Sequence, residues 1–176
     1  MAFALIASVS TGAGTTAAID TTGANLIVVV IAVASINTEF TESKNAFGAY
    51  TEAITNSDAD GNTVRVFYIF NPTVGSGHTF SNAFDWQAIA VAAYSGAATS
   101  PLDQSGGANS GASAVTTVAS GSETPLEDNE LLVAGLSLFN TTTTSAIAAD
   151  TGDGFTLLEA VNADVDNYGV ALSHQI

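Results

Sequence analysis

"TVRVFYIF", Thr63 to Phe70, is the stretch on which the fold turns. Read with a period of two, Val64, Val66, Tyr68 and Phe70 fall on one face and Arg65, Phe67 and Ile69 on the other. Both faces are mostly apolar, which predicts a central strand, or one covered by a neighbouring subunit. "NLIVVVIAVAS" (Asn25–Ser35) and "WQAIAVAAYS" (Trp86–Ser95) read the same way. "ELLVAGLSLF" (Glu130–Phe139) sets Leu132, Ala134, Leu136 and Leu138 on one side, and Leu131, Val133 and Phe139 on or near the other. Sustained helical periodicity is absent. Short β-branched runs broken by Gly, Asn, Asp, Ser and Thr predict many strands joined by turns.

The expected strands are Phe3–Ser10, Thr15–Asp20, Asn25–Ser35, Phe47–Thr55, Thr63–Asn71, Gly77–Ala83, Trp86–Ser95, Ser113–Ala119, Glu130–Asn140, Thr142–Ala148, Thr156–Asn162 and Tyr168–His174. Asp60-Gly61 and Asp153-Gly154 are read as tight hairpin turns with positive φ. "TSPLDQSGGANSGAS" is a long loop. The expectation is one all-β domain over residues 1–176, a two-sheet antiparallel β-sandwich of jelly-roll or immunoglobulin-like Greek-key type.

Composition bounds the function. Charged residues are 11% of the chain, against about 25% in ordinary soluble domains, while hydrophobic residues are 47%. The chain should therefore fold, with a surface built largely from small neutral residues suited to close contact with protein. Seventeen acidic residues face two basic ones, Lys44 and Arg65, for a net charge of -15. That balance argues against nucleic acid and anionic membranes as partners, and favours a basic protein surface or a divalent cation. With no cysteine, disulfides and thiolate metal sites are excluded. "MAFALIASVS" lacks the basic start of a signal peptide, and "LIVVVIAVA" is shorter than the about 20 residues of a membrane helix.

Candidate chemistry is sparse. The two histidines, His78 in "GSGHTF" and His174, have no catalytic partner visible by spacing, and both are read as structural. "NSDADGNT" lacks the further ligands of a calcium loop, so Asp58 and Asp60 are read as turn residues. Asp164 and Asp166 would share a face and are read as solvent-exposed. "TGAGTT" and "GSGH" form no phosphate-binding fingerprint. Trp86, with Phe84 and Tyr94, could stack on a sugar, though a core or interface anchor is the commoner fate of such residues. No catalytic, cofactor-binding or metal-binding residue is assigned, and no cofactor is expected.

Five segments in order carry a resemblance: "GANLIVVVIAVAS", "GNTVRVFYIF", "GSGHTF", "AVAAYSGAATSPLD" and "DNELLVAGLSLF". Together they resemble a β-sandwich family found in bacteriophage structural proteins and some bacterial surface proteins. The resemblance implies a building block of the virion, found in tail, fibre and capsid-associated proteins, and carries no single activity. It makes Ala90–Tyr94 a core strand, Ser95-Gly96 a turn, and Pro101–Asp103 the start of a surface loop. The expected role is a non-enzymatic capsid decoration or cement protein. It would be made in the host cytoplasm and bound to capsid or other virion proteins on the outer surface of the head. A homo-oligomer is expected, a trimer at a symmetry axis being one arrangement. The alternative is a glycan- or receptor-binding tail or fibre module.

Overall fold

A computed structural model of the chain describes residues 2–34, 39–83, 87–109, 117–119, 121–140, 147, 154–162 and 167–176. The strands are β1 (Ala4–Thr11), β2 (Leu26–Val33), β3 (Phe40–Glu42), β4 (Thr51–Ser57), β5 (Thr63–Phe70), β6 (Phe80–Asn82), β7 (Gln87–Ser95), β8 (Leu132–Asn140), β9 (Thr156–Val161) and β10 (Asn167–Gln175). A 3-10 turn, Phe47–Ala49, precedes β4. The strands form a five-stranded sheet in the order β1-β7-β2-β5-β4, a three-stranded sheet β8-β10-β9 and a two-stranded sheet β3-β6. Every strand pairing among them is antiparallel. The fold is all-β, with two main sheets facing each other as a β-sandwich.

Strand β2 explains the layering. All eight of its residues, LIVVVIAV, are buried. Leu26, Val28, Val30 and Ala32 point one way, where Ala88, Ala90, Ala92 and Tyr94 of β7 join them against Tyr168, Val170 and Leu172 of β10. Ile27, Val29, Ile31 and Val33 point the other way, with Ile89 and Val91, against Phe40, Phe67 and Phe80. Phe40 is the hub of this second cluster, meeting Phe47 edge-on at 5.1 Å and Tyr50 at 4.9 Å. The five-stranded sheet is therefore a middle layer. The three-stranded sheet covers one face; the β3-β6 pair and the 3-10 turn cover the other. Burying each such Val or Ile stabilises the fold by about 1.5–3 kcal/mol.

The apolar period in β5 holds as read, with Val64, Val66, Tyr68 and Phe70 against the three-stranded sheet and Phe67 and Ile69 in the opposite cluster. The chain itself covers both faces, so the two-faced pattern of Thr63–Phe70 does not call for a neighbouring subunit. Arg65 is largely buried on that opposite face and is accommodated there by pairing with Glu52 on β4 and lying 4.8 Å from the Phe67 ring centre.

Several expected elements differ. Thr15–Asp20 is extended but joins the rest only through isolated bridges, Thr15 to Ser81 and Ile19 to His78. Positive-φ Gly14 and Gly23 bracket it and turn the chain off the sheet direction at both ends. The start of Phe47–Thr55 is the 3-10 turn, closed by the Tyr50 amide donating to the Phe47 carbonyl at 3.0 Å. Gly77–Ala83 shortens to β6, and β3, which pairs with it, is an added strand. The Asp60-Gly61 turn is wider than a two-residue hairpin. Only Gly61 has positive φ (87°), and the connection runs from 58 to 62 between the paired Ser57 and Thr63. Ser113–Thr116, most of Thr142–Ala148, Trp86 and Asp153 lie outside the described residues.

Two close approaches set the spacing. At Gly96 (φ 92°) an added Cβ would lie 2.3 Å from the Ala2 carbonyl oxygen, so the turn after β7 requires glycine. At Gly135 in β8 an added Cβ would lie 2.7 Å from Val30 Cγ1 and 3.3 Å from Val66 Cγ2. Glycine there lets the facing sheets touch. Gly135→Ala should therefore lower unfolding free energy by about 1–3 kcal/mol in urea titration, the usual cost of overpacking. Gly48→Ala, where an added Cβ meets nothing within 4 Å, should stay within about 0.5 kcal/mol of the parent. Equal effects at the two sites would contradict the packing described.

Candidate functional site

His78 sits where the third layer meets the middle sheet, and the polar groups of that layer converge on it. Its ring is fully buried and stacks on Phe80, with 4.5 Å between centres. Nε2 lies 2.6 Å from Glu42 Oε2, and Nδ1 lies 3.0 Å from Thr21 Oγ1. The Glu42 side chain is wholly shielded from solvent. Glu42 also accepts from the Lys44 amide at 2.6 Å, from the Asn45 side-chain amide, and from the Tyr50 hydroxyl at 3.2 Å. Thr21 is tied in turn to Gly75, whose amide donates to Thr21 Oγ1 at 3.1 Å.

Local sequence explains each placement. Glu42 ends β3, whose short pairing with β6 brings it level with Phe80. His78 follows Gly75 and Gly77, both at positive φ, which fold the 72–79 segment back onto Ile19 and Thr21. Burial pulls the Glu42 carboxyl upward, but hydrogen bonds from His78, Lys44 and Asn45 outweigh it and hold the group below its ordinary value of 4.5. Burial, together with the Glu42 charge and the bond donated to it, pushes the Tyr50 hydroxyl upward.

Hydroxyl, imidazole and carboxylate here stand in the order of a nucleophile, its base and an orienting acid. Their accessibility does not suit that chemistry. Thr21, His78 and the Glu42 side chain are completely buried, and the Thr21 hydroxyl is already engaged with Gly75 as well as His78. What the cluster does is join three segments, 19–24, 40–45 and 73–80, that no extended sheet holds together. Sequence reading singled out His78, as a structural residue, but missed Glu42 and Thr21. They lie 36 and 57 residues away from His78, and nothing in local spacing joins them.

The other residues considered are dispersed. His174 is on β10, tilted against Tyr94 at 5.8 Å, with Nδ1 buried and unpartnered. Burial pushes its imidazole below 6.5. Asp58 organises its turn: Oδ1 accepts from the Asp60 and Asn62 amides, both at 2.9 Å, and Oδ2 from the Asn62 side chain at 2.6 Å. Tyr94 is fully buried and so cannot stack on a sugar; Trp86 and Phe84, its suggested companions, lie outside the described residues, as do Asp164 and Asp166. Among the described residues no three acidic or histidine side chains converge on a metal-sized point, and no helix is long and apolar enough to cross a membrane. A scan against protein-family models found no match, and neither the curated proteins nor the solved structures contain one.

Two pH effects follow, in separate windows. The unfolded chain protonates His174 more readily than the folded one, so stability should decline as pH falls below about 6.5. His174→Leu should flatten that part of a melting-temperature profile. Glu42 is held low in the fold, so its contribution is complete above about 4.5 and is lost as pH falls through the lower folded value. The stability gap between the parent and Glu42→Gln should be constant above pH 4.5 and close below it. A gap unchanged down to pH 2 would show that the carboxylate charge is not what holds the cluster.

Proposed function

We propose that the chain is a non-enzymatic structural protein of a bacteriophage particle, of the decoration or cement type, which binds capsid proteins on the outer surface of the head. The observation that carries this reading is the division of the molecule. The core is closed on both faces, with its triad-like polar cluster sealed inside. The loops carry acidic residues beside exposed apolar ones, as at Leu102 (41% exposed) and Leu126 (70%). Such a molecule offers contact surface in place of chemistry.

The segments that resemble the phage family supply β2, β5, β7 and β8, the scaffold of both main sheets. Between β7 and β8 the described residues, 96–109, 117–119 and 121–131, lie outside the sheets. Part of this segment lies along β4, the edge of the five-stranded sheet, where the Asn109 side chain donates to the Ser57 carbonyl at 3.1 Å. Covering an edge strand in this way blocks uncontrolled strand pairing. An acidic surface with two basic residues is repelled by packaged DNA and steered toward basic protein, which favours the outside of the shell. Self-association has one structural support, the exposed Leu5 and Ile6 on edge strand β1.

The test is imaging of intact particles that carry the chain, with density for it expected on the head exterior. Density confined to the tail would overturn the proposal. On isolated DNA-free shells, binding should persist and its on-rate should fall as salt rises.

A further inference from the structure

The third layer is attached to the molecule differently from the other two. β3 and β6 pair only with each other, over three register positions. Further backbone bonds tie them to the extended segment 14–21: Thr16 donates to Phe80 at 2.8 Å, Ile19 and His78 exchange bonds at 2.9 Å, and Asn82 donates to Gly14 at 3.0 Å. Among the described residues no strand ladder runs from this layer into the middle sheet. Asn82 and Ala83 do bond to Gln87 at the start of β7, but the broad contact is packing, with Phe40 and Phe80 over Ile27, Val29 and Ile31. β2 does not need the layer for its own pairing. β5 and β7 flank it along its whole length, and the three-stranded sheet covers its other face. A layer bonded within itself, with no ladder to its neighbour, meets the description of a separate cooperative unit.

One carboxylate ties the segments of this layer together. Glu42 accepts from Lys44, Asn45 and Tyr50 and faces His78 Nε2, while the other ring nitrogen of His78 lies against Thr21. Among the described residues, His78 and Tyr50 are the titratable side chains bonded to it. Lys44 offers its amide; its ammonium lies beside Gly75 and acts on Asp20. Beneath, β2 and β7 carry no charge, and on the same side of β5 Arg65 is paired with Glu52. One proton on Glu42 therefore removes the negative charge at the centre of the cluster. Burial opposes ionisation of Glu42, yet the bonds it accepts hold it below 4.5 while the layer is closed. Opening returns it to its ordinary value. Closure is thus favoured most above about pH 4.5 and weakens as pH falls through the lower closed value.

We propose that this layer is a lid that opens as a unit, latched through Glu42 and released by acid. Opening uncovers the Ile27, Val29 and Ile31 face while the two main sheets stay paired. Near neutral pH the latch, with the burial of Phe40 and Phe80, keeps the open form a minor population.

The test is amide hydrogen exchange of the full chain, read residue by residue by NMR and corrected for the intrinsic rate at each pH. The lid reporters are the amides of Thr16, Ile19, Ser43, His78 and Asn82, whose acceptors lie across the layer. The reference is the amides of β2. Near neutral pH the lid amides should share one protection level, about tenfold or more below that of β2, with a weaker dependence on dilute urea. Their protection should fall about threefold or more between about pH 5.5 and about pH 3. In Glu42→Gln it should start lower and stay flat across that range. Glu52→Gln, whose pair lies in the main sheet, should leave lid protection unchanged. Equal protection and equal urea dependence in the lid and β2 would overturn the separate lid, and this comparison needs only the parent chain. Lid protection that is flat with pH in the parent, or that falls as steeply in Glu42→Gln, would overturn the acid latch. If Glu42→Gln does not fold, Tyr50→Phe takes its place: it removes one bond to the carboxylate and should lower lid protection near neutral pH, and no change would overturn the latch.

Discussion

Burial of β2 on both faces is the constraint from which the rest of the architecture follows. A strand with eight consecutive buried residues cannot lie on the outside of a two-layer sandwich. Each of its faces needs a cover, and the covers differ in kind. On the Leu26, Val28, Val30 face the middle sheet adds small residues, the alanines at 88, 90 and 92 of β7, under Tyr168, Val170 and Leu172 of the three-stranded sheet, whose Gly135 lies opposite Val30. Large side chains on both sides of that contact would hold the sheets apart and leave voids. The other face carries Ile27, Val29 and Ile31, and its cover is aromatic, with Phe40 and Phe80 fully buried. Two short strands of three residues each can close that face because each brings one large ring.

Short strands have few ladder hydrogen bonds, and this is where the buried polar cluster acts. The β3-β6 pair contributes three register positions. Alone such a two-stranded pair would be marginal. Glu42 and His78 add a short charge-assisted bond across it, Thr21 links it to the extended 15–21 segment, and Tyr50 connects it to the 3-10 turn. Removing one partner from such a buried pair generally costs about 3–5 kcal/mol, because the other is left unsatisfied. The cluster thus fixes the aromatic lid in one position over the middle sheet. A similar device on a smaller scale closes the sandwich edge, where Ser8 and Ser10 of β1 donate to the two oxygens of Glu159 on β9 at 2.6 and 2.7 Å.

What could be read from sequence divides along the same line. Strands β2, β5, β7, β8 and β10 were legible because an alternating or continuous apolar run of eight or nine residues has a period that survives without context. The facing of Val64, Val66, Tyr68 and Phe70 came out correctly for that reason. Strand β3 was not legible, since three residues, Phe-Thr-Glu, contain no period. The 3-10 turn at Phe47 was hidden by aromatic residues that elsewhere favour strands. The Glu42–His78–Thr21 cluster was invisible because its members are joined only by the folded topology. The Asp60-Gly61 signal located a turn correctly but not its width, which Asp58 determines by capturing two amides with one oxygen.

That role for Asp58 recurs and changes the meaning of the acidic composition. Asp20 Oδ1 accepts from the Thr22 amide at 2.9 Å and its hydroxyl at 2.6 Å, and these bonds hold its carboxyl below the ordinary range. Asp103 and Glu130 each bind a loop amide in the same manner. In a chain with seventeen carboxylates and two basic side chains, ion pairs cannot occupy most of the acids. Backbone N–H groups in turns become their partners, and the carboxylates serve as turn-shaping acceptors. Such bonds orient the charges without neutralising them. Among the described residues most carboxylates lie on loops, with Glu42, Glu52 and Glu159 on strands, and screening over about 8–10 Å keeps the mutual repulsion of the exposed ones modest. Neutralisation must therefore come from outside the chain, from solvent ions or from a basic partner. A basic partner gains more where the acidic turns are already rigid, because less side-chain and loop entropy is lost on contact.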